Sequence, residues 1–229
     1  MKNPWVAIIA LVVVLIGGSV WYSNSIGERN NEGVELAPHI KGNPEAAVKL
    51  VEYSDFQCPA CAAFQPYVNE ILDVYGEAIS FEYKHFPLPM HPMAEPAARA
   101  AEAAGVQGAF FPYSDKLFEN QEAWSKSPNP NAFFIKYAEE LGLDVDMFKR
   151  HMNATLVRDA VKAGGQEARE RGLTGTPTFF LNGERMEMKS YEDFRVLIEA
   201  AINPSVNFSA DGSVPVEAVP AEPAVEFGI

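Results

Sequence analysis

Cys58 and Cys61 are the only two cysteines of the 229-residue chain, and they stand three apart in Asp55-Phe56-Gln57-Cys58-Pro59-Ala60-Cys61. A β-branched and aromatic run ends just before them and an amphipathic run begins at the second. A dithiol at the start of a helix is suited to thiol exchange. The unpaired N–H groups and the positive end of the helix dipole favour a thiolate at the first sulfur. One turn later, the second sulfur can attack a mixed disulfide formed on the first and release the partner. Two cysteines are too few for an all-cysteine zinc site or for a multi-disulfide framework. A zinc site completed by His85 and His91 is the metal alternative, but those histidines lie beyond finger spacing and flank the proline-rich segment Phe86-Pro87-Leu88-Pro89. An inert buried pair is the other bland reading.

The elements that must hold this pair can be read from periodicity. Val48 to Ser54 has strand composition, and Ile79 to His85 alternates as a second strand. Between them Cys61, Phe64, Val68, Leu72 and Tyr75 recur at three- and four-residue steps, so they share the core face of a helix. Cys58 falls at the open end of that helix and Cys61 begins its buried stripe, which separates an accessible attacking sulfur from a protected one. From Met93 to Gly172 the chain is helical in character, with an Ala-rich run at Ala97 to Ala104. Strands return at Thr178 to Leu181 and Glu184 to Met188 around the turn pair Asn182-Gly183, and Ser190 to Asp193 has the form of a helix cap. The order is strand, helix, strand, helical insert, hairpin, helix.

Outside this unit, Trp5 to Tyr22 carries no charge. As a helix it spans about 27 Å, close to the hydrocarbon thickness of a bilayer. Its aromatic flanks and Lys2 predict a signal-anchor at 5–22 with residues 1–4 in the cytoplasm and the remainder exported. A cleaved signal peptide, cut near Ser23-Asn24-Ser25, is the competing reading. No cysteine stands directly after the apolar run, which argues against a lipoprotein anchor. Residues 23–33 read as a stalk, 34–203 as one domain with its helical insert at about 93–172, and the acidic, proline-rich 204–229 as a disordered tail. The net charge of −13 argues against a nucleic-acid partner.

The chain resembles the DsbA-like branch of the thioredoxin superfamily, especially its membrane-anchored bacterial members. The likeness rests on Val51 to Cys61, on Phe86-Pro87-Leu88-Pro89-Met90-His91-Pro92 before an Ala-rich helix, and on Gly175-Thr176-Pro177-Thr178-Phe179-Phe180. It implies an α/β thioredoxin fold with an inserted all-helical domain, in addition to the N-terminal transmembrane helix. It also implies a cis peptide between Thr176 and Pro177 facing the cysteines, with those two residues binding an extended substrate segment. Glu52 stands where such proteins often carry a buried acid, and the implied role is proton transfer to and from Cys61; plain strand alternation would instead leave Glu52 in solvent. Pro59 and Ala60 form the motif between the cysteines, and no histidine is there to support the thiolate.

The resulting expectation is an extracytoplasmic thiol:disulfide oxidoreductase whose redox disulfide is Cys58–Cys61, most simply an oxidant. Its expected partners are cysteine-containing exported proteins, a membrane redox partner and the membrane itself, and it needs no metal or organic cofactor. The rival class is a noncatalytic binding module presenting Phe110, Phe111, Phe133 and Phe134 from the insert.

Overall fold

The computed structural model describes residues 4–204. Helix α1 spans Pro4–Asn31 and strand β1 His39–Gly42; β2 (Val48–Ser54), α2 (Pro59–Tyr75) and β3 (Ile79–His85) follow. Six helices come next: α3 (Ala94–Gly105), α4 (Phe110–Glu119), α5 (Gln121–Ser125), α6 (Pro130–Glu140), α7 (Val145–Met152) and α8 (Thr155–Glu170). Strands β4 (Thr178–Leu181) and β5 (Glu184–Arg185) and helix α9 (Tyr191–Ile202) end the described chain.

The sheet order is β1-β3-β2-β4-β5. β2 and β3 are parallel, which requires a crossover, and α2 supplies it. The other pairings are antiparallel. Because side chains alternate along a strand, β2 serves two cores. Leu50 belongs to the main core with Phe81, Phe179 and the α2 stripe Phe64, Val68, Ile71 and Leu72, while Tyr53 turns to a smaller cluster with Phe86, Ala168 and Leu173. Each buried side chain of the α2 stripe contributes about 1.5–3 kcal/mol relative to exposure, and this burial fixes α2 against the sheet. In α3 the alanines at 97, 98, 100, 101, 103 and 104 are all buried. Their small size lets α4, α6, α7 and α8 pack around it.

The hairpin turn is made as its residues require, with Asn182 and Gly183 at φ 51° and 88°. Strand β5 is shorter than expected, ending at Arg185. Ser190 and Asp193 form a reciprocal capping box at the start of α9. Strand β1 had no counterpart in the sequence reading: four residues are too few to show a period, and β1 exists because it pairs with β3.

The N-terminal region corrects the sequence reading in one respect. Helix α1 continues through the expected stalk to Asn31, whose side chain is held by Thr155 Oγ1 at 2.7 Å and accepts from Leu156 N at 3.2 Å. These tertiary bonds to the start of α8 were invisible in a polar stretch without periodicity. Among the described residues no helix is long and apolar enough to cross a membrane, so the span expected at 5–22 is not shown. The side chains from Leu11 to Ile16, with Val20 and Trp21, are exposed. The tail beyond Pro204 and residues 1–3 lie outside the described residues.

Candidate active site

The site is assembled at the C-terminal end of β2. Asp55 follows the strand and its buried carboxylate organises the loop: Oδ1 accepts from Gln57 N at 2.7 Å, Oδ2 accepts from Leu88 N at 2.8 Å, and His91 Nδ1 lies 2.7 Å from Oδ2. Cys58 N donates to Asp55 O at 3.0 Å, so the turn delivers Cys58 to the N-cap of α2, with Pro59 in the first turn where its missing N–H is not needed. Three further hydrogen bonds come from the insert. Gln121 Nε2 donates to Phe56 O (2.7 Å) and Cys58 O (2.9 Å), and Met93 N donates to Gln57 Oε1 (2.6 Å).

Opposite this helix end, the peptide between Thr176 and Pro177 is cis. The Cys58 Sγ–H donates to Thr176 O at 3.4 Å, so the loop that precedes β4 sits directly against the first sulfur. Both cysteines are free thiols. Cys58 is far less open than a helix-end position suggested, at 6% exposure against 1% for Cys61, because the Thr176 loop closes over it. Pro59 and Ala60 face solvent.

The two thiols are driven apart chemically. The hydrogen bond from Cys61, opposed by burial and assisted by the N–H groups of Cys61 and Ala60, brings Cys58 down to about 5. Burial, the hydrogen bond to Cys58 and the nearby Glu52 charge push the Cys61 thiol far above its ordinary value. Of the two, Cys58 is the sulfur favoured to give up its proton and Cys61 the one favoured to keep it.

Glu52 does not face solvent. It is 1% exposed, opposite Tyr83 of β3 and Phe179 of β4 in the sheet register. Burial pushes its carboxyl up to about 7, with Ser54 acting in the opposite direction and the Cys58 charge adding to the rise. Glu52 Oε2, Ser54 Oγ, Tyr83 Oη and Thr176 Oγ1 are buried with no hydrogen-bond partner among the described residues. A carboxyl that titrates near neutrality below a protonated thiol can accept or return that thiol's proton.

Sequence reasoning brought together Cys58, Cys61, Thr176, Pro177 and Glu52, and missed Asp55, Gln57 and Gln121. The aspartate carried a local signal, since an Asp bonding the N–H two residues on is a common turn; Gln121 carried none, being sixty-three positions from the carbonyl of Cys58 that it holds. The zinc alternative fails on placement. His91 is bound to Asp55 and His85 to Glu102, and no described cysteine joins a metal-ligating cluster. The insert phenylalanines offered for a binding module are also accounted for: Phe110 and Phe134 are core, and Phe111 and Phe133 pack against it.

Residues 35–200 match the family model described as thioredoxin. Among curated relatives, the Na(+)/H(+) antiporter NhaA 1 of Mycobacterium sp. (strain KMS) is 37% identical over 152 residues, covering 64% of this chain and 24% of that protein. The NhaA 1 of Salinispora arenicola (strain CNS-205) is 41% identical over 150 residues, covering 64% and 22%. The chain spans about a quarter of the length of the curated relatives it matches. Among solved structures, a thioredoxin-like oxidoreductase from Silicibacter pomeroyi DSS-3 superposes with TM-score 0.61 at 24% identity, covering 76% of this chain and 96% of that one. Oxidised BdbD from Bacillus subtilis gives 0.63 at 19% (75% and 94%), and alpha-DsbA1 from Wolbachia pipientis 0.63 at 20% (77% and 96%). At these identities the likeness shows the fold.

Proposed function

The chain belongs to the thioredoxin family, and on that footing we propose that it is a DsbA-like thiol:disulfide oxidoreductase, membrane-anchored and extracytoplasmic, that oxidises cysteines of exported proteins. The observation that carries this reading is the placement of the dithiol: Cys58 stands at the N-cap of α2 with its sulfur 3.4 Å from the Thr176 carbonyl, beside the cis Thr176–Pro177 peptide, and Cys61 lies buried in the next turn. In the oxidising direction a substrate thiolate attacks Sγ of Cys58 and the Cys58–Cys61 bond breaks. The Cys61 sulfur leaves with the electron pair and takes a proton from Glu52. A second substrate thiolate then attacks the mixed disulfide, closing the substrate's own disulfide and releasing Cys58 as a thiolate. Two electrons pass to the protein, and a membrane redox partner must remove them. Stabilising the Cys58 thiolate stabilises the reduced form and so makes the disulfide more oxidising. That supports the oxidant direction.

Thr176 and Pro177 form the ledge beside Cys58, and an extended substrate segment placed there would bring its sulfur to Cys58. The exposed apolar side chains of α1 support anchoring at 5–22, since a soluble surface rarely displays so contiguous an apolar patch. A redox disulfide persists in an oxidising compartment, which supports the extracytoplasmic side. Redox titration with thiol trapping tests the function: one two-electron couple confined to Cys58 and Cys61 is expected, with Cys61→Ala accumulating mixed disulfides. Redox silence, or trapping by Cys58→Ala instead, overturns it.

A further inference from the structure

Three side chains that the thiol chemistry does not use converge at the junction of sheet and insert. His39 comes from β1, His85 from the end of β3 and Glu102 from α3. His39 Nε2 lies 2.8 Å and His85 Nε2 2.9 Å from the same oxygen, Glu102 Oε1, and the three ligand atoms all lie within 4.8 Å of one another. His85 and Glu102 are buried and His39 is nearly so, stacked on Phe110 with ring centroids 3.4 Å apart. His39 and Glu102 form part of the wall of an open cleft of about 280 Å³, lined also by Glu35, Pro38, Val106 and Gly108, and His85 lies behind them.

We propose that His39, His85 and Glu102 bind a divalent transition-metal ion of the zinc class, with the cleft supplying the fourth position. Two imidazole nitrogens and one carboxylate oxygen are the donor set such an ion takes, and three protein ligands with one open site is an established coordination pattern. Tetrahedral coordination at about 2.0–2.1 Å spaces ligand atoms about 3.3 Å apart. The two observed separations, 2.8 and 2.9 Å, are short of this by a few tenths of an ångström, so small withdrawals of the side chains admit the ion in place of the two protons. Water or the carboxylate of Glu35, which lines the cleft, can complete the shell. The bland alternative is a proton-filled cluster in which both imidazole N–H groups donate to Glu102. The ion would tie the β1–β3 side of the sheet to the first insert helix. It would also lie near the thiol loop, because the His85 ring is 5.9 Å from that of Phe56, two residues before Cys58.

The test uses the full, tag-free chain in detergent with its disulfide closed, so that no thiolate can compete for metal. Calorimetric titration with Zn2+ should give one site per chain, and a hundredfold excess over Kd should raise Tm by about 5–10 °C. His39→Gln keeps a donor for Glu102 but is a poor zinc ligand, and should weaken binding at least about tenfold. Co2+ on the unmodified protein should give tetrahedral visible bands without sulfur charge-transfer absorption. This last measurement stands even if the variant folds poorly. Absence of binding, affinity unchanged in His39→Gln, or sulfur bands in the Co2+ spectrum would each overturn the proposal, leaving a hydrogen-bonded cluster only.

Discussion

Replacing Glu52 by Gln should change how stability depends on pH, by an amount that the burial of this carboxyl sets. The folded protein holds the proton up to about pH 7, whereas an unfolded chain releases it near 4.5. Below 4.5 both states are protonated and Glu52 costs the fold no charge burial. As pH rises from 4.5 to 7 the unfolded state ionises first, and the fold loses about 3 kcal/mol, the free-energy equivalent of the interval between 4.5 and about 7. Gln has nearly the same shape and cannot ionise, so the variant should escape this loss. Urea unfolding of the disulfide form at pH 4.5 and pH 8 removes thiol titration from the comparison, and burial, the leading cause of the shift, is retained there. The stability difference between Glu52→Gln and the parent should move in favour of the variant by about 3 kcal/mol between the two pH values. A difference that stays constant across that window would refute the desolvated carboxyl and remove Glu52 as a proton carrier for Cys61.

Alkylation of the reduced protein should reach a plateau with a midpoint near pH 5 and label Cys58 almost alone, as mass mapping would show; a rate still rising toward pH 9, or equal labelling of Cys61, contradicts the assigned thiolate. Asp55→Ala strips the acceptor from Gln57 N, Leu88 N and His91, and should cost about 3 kcal/mol by denaturant unfolding while slowing exchange, because three partly buried donors are left unpaired. Gly164→Ala places a Cβ 2.7 Å from the His85 carbonyl oxygen, so α8 must move off β3, with an expected loss of about 1–3 kcal/mol in the same assay. Ser190→Ala should remove about 1 kcal/mol through loss of the capping box, without altering the alkylation of Cys58.

Much of the frame was legible without coordinates, because the signals were local. The α2 stripe, the Asn182-Gly183 turn and the Ser190 to Asp193 cap are short-range patterns whose physics is complete within a few residues. The Cys58 to Cys61 spacing and the Thr176-Pro177 pair belonged to that class as well, the latter through family likeness. Tertiary structure decided what depends on distant neighbours. Whether Glu52 met water or the core turned on α2 covering one face of β2, and alternation in sequence cannot say which face is covered. Strand β1 exists by pairing with β3, and the last turns of α1 are fixed by Thr155 and Leu156, partners more than a hundred residues away. The closeness of Cys58 to Thr176, and of His39, His85 and Glu102 to one another, arises because the sheet and the insert fold the chain back on itself. A residue's type and spacing fix what chemistry it can do, while its desolvation and its partners, which only packing supplies, fix whether it holds a proton, a thiolate or a metal ion.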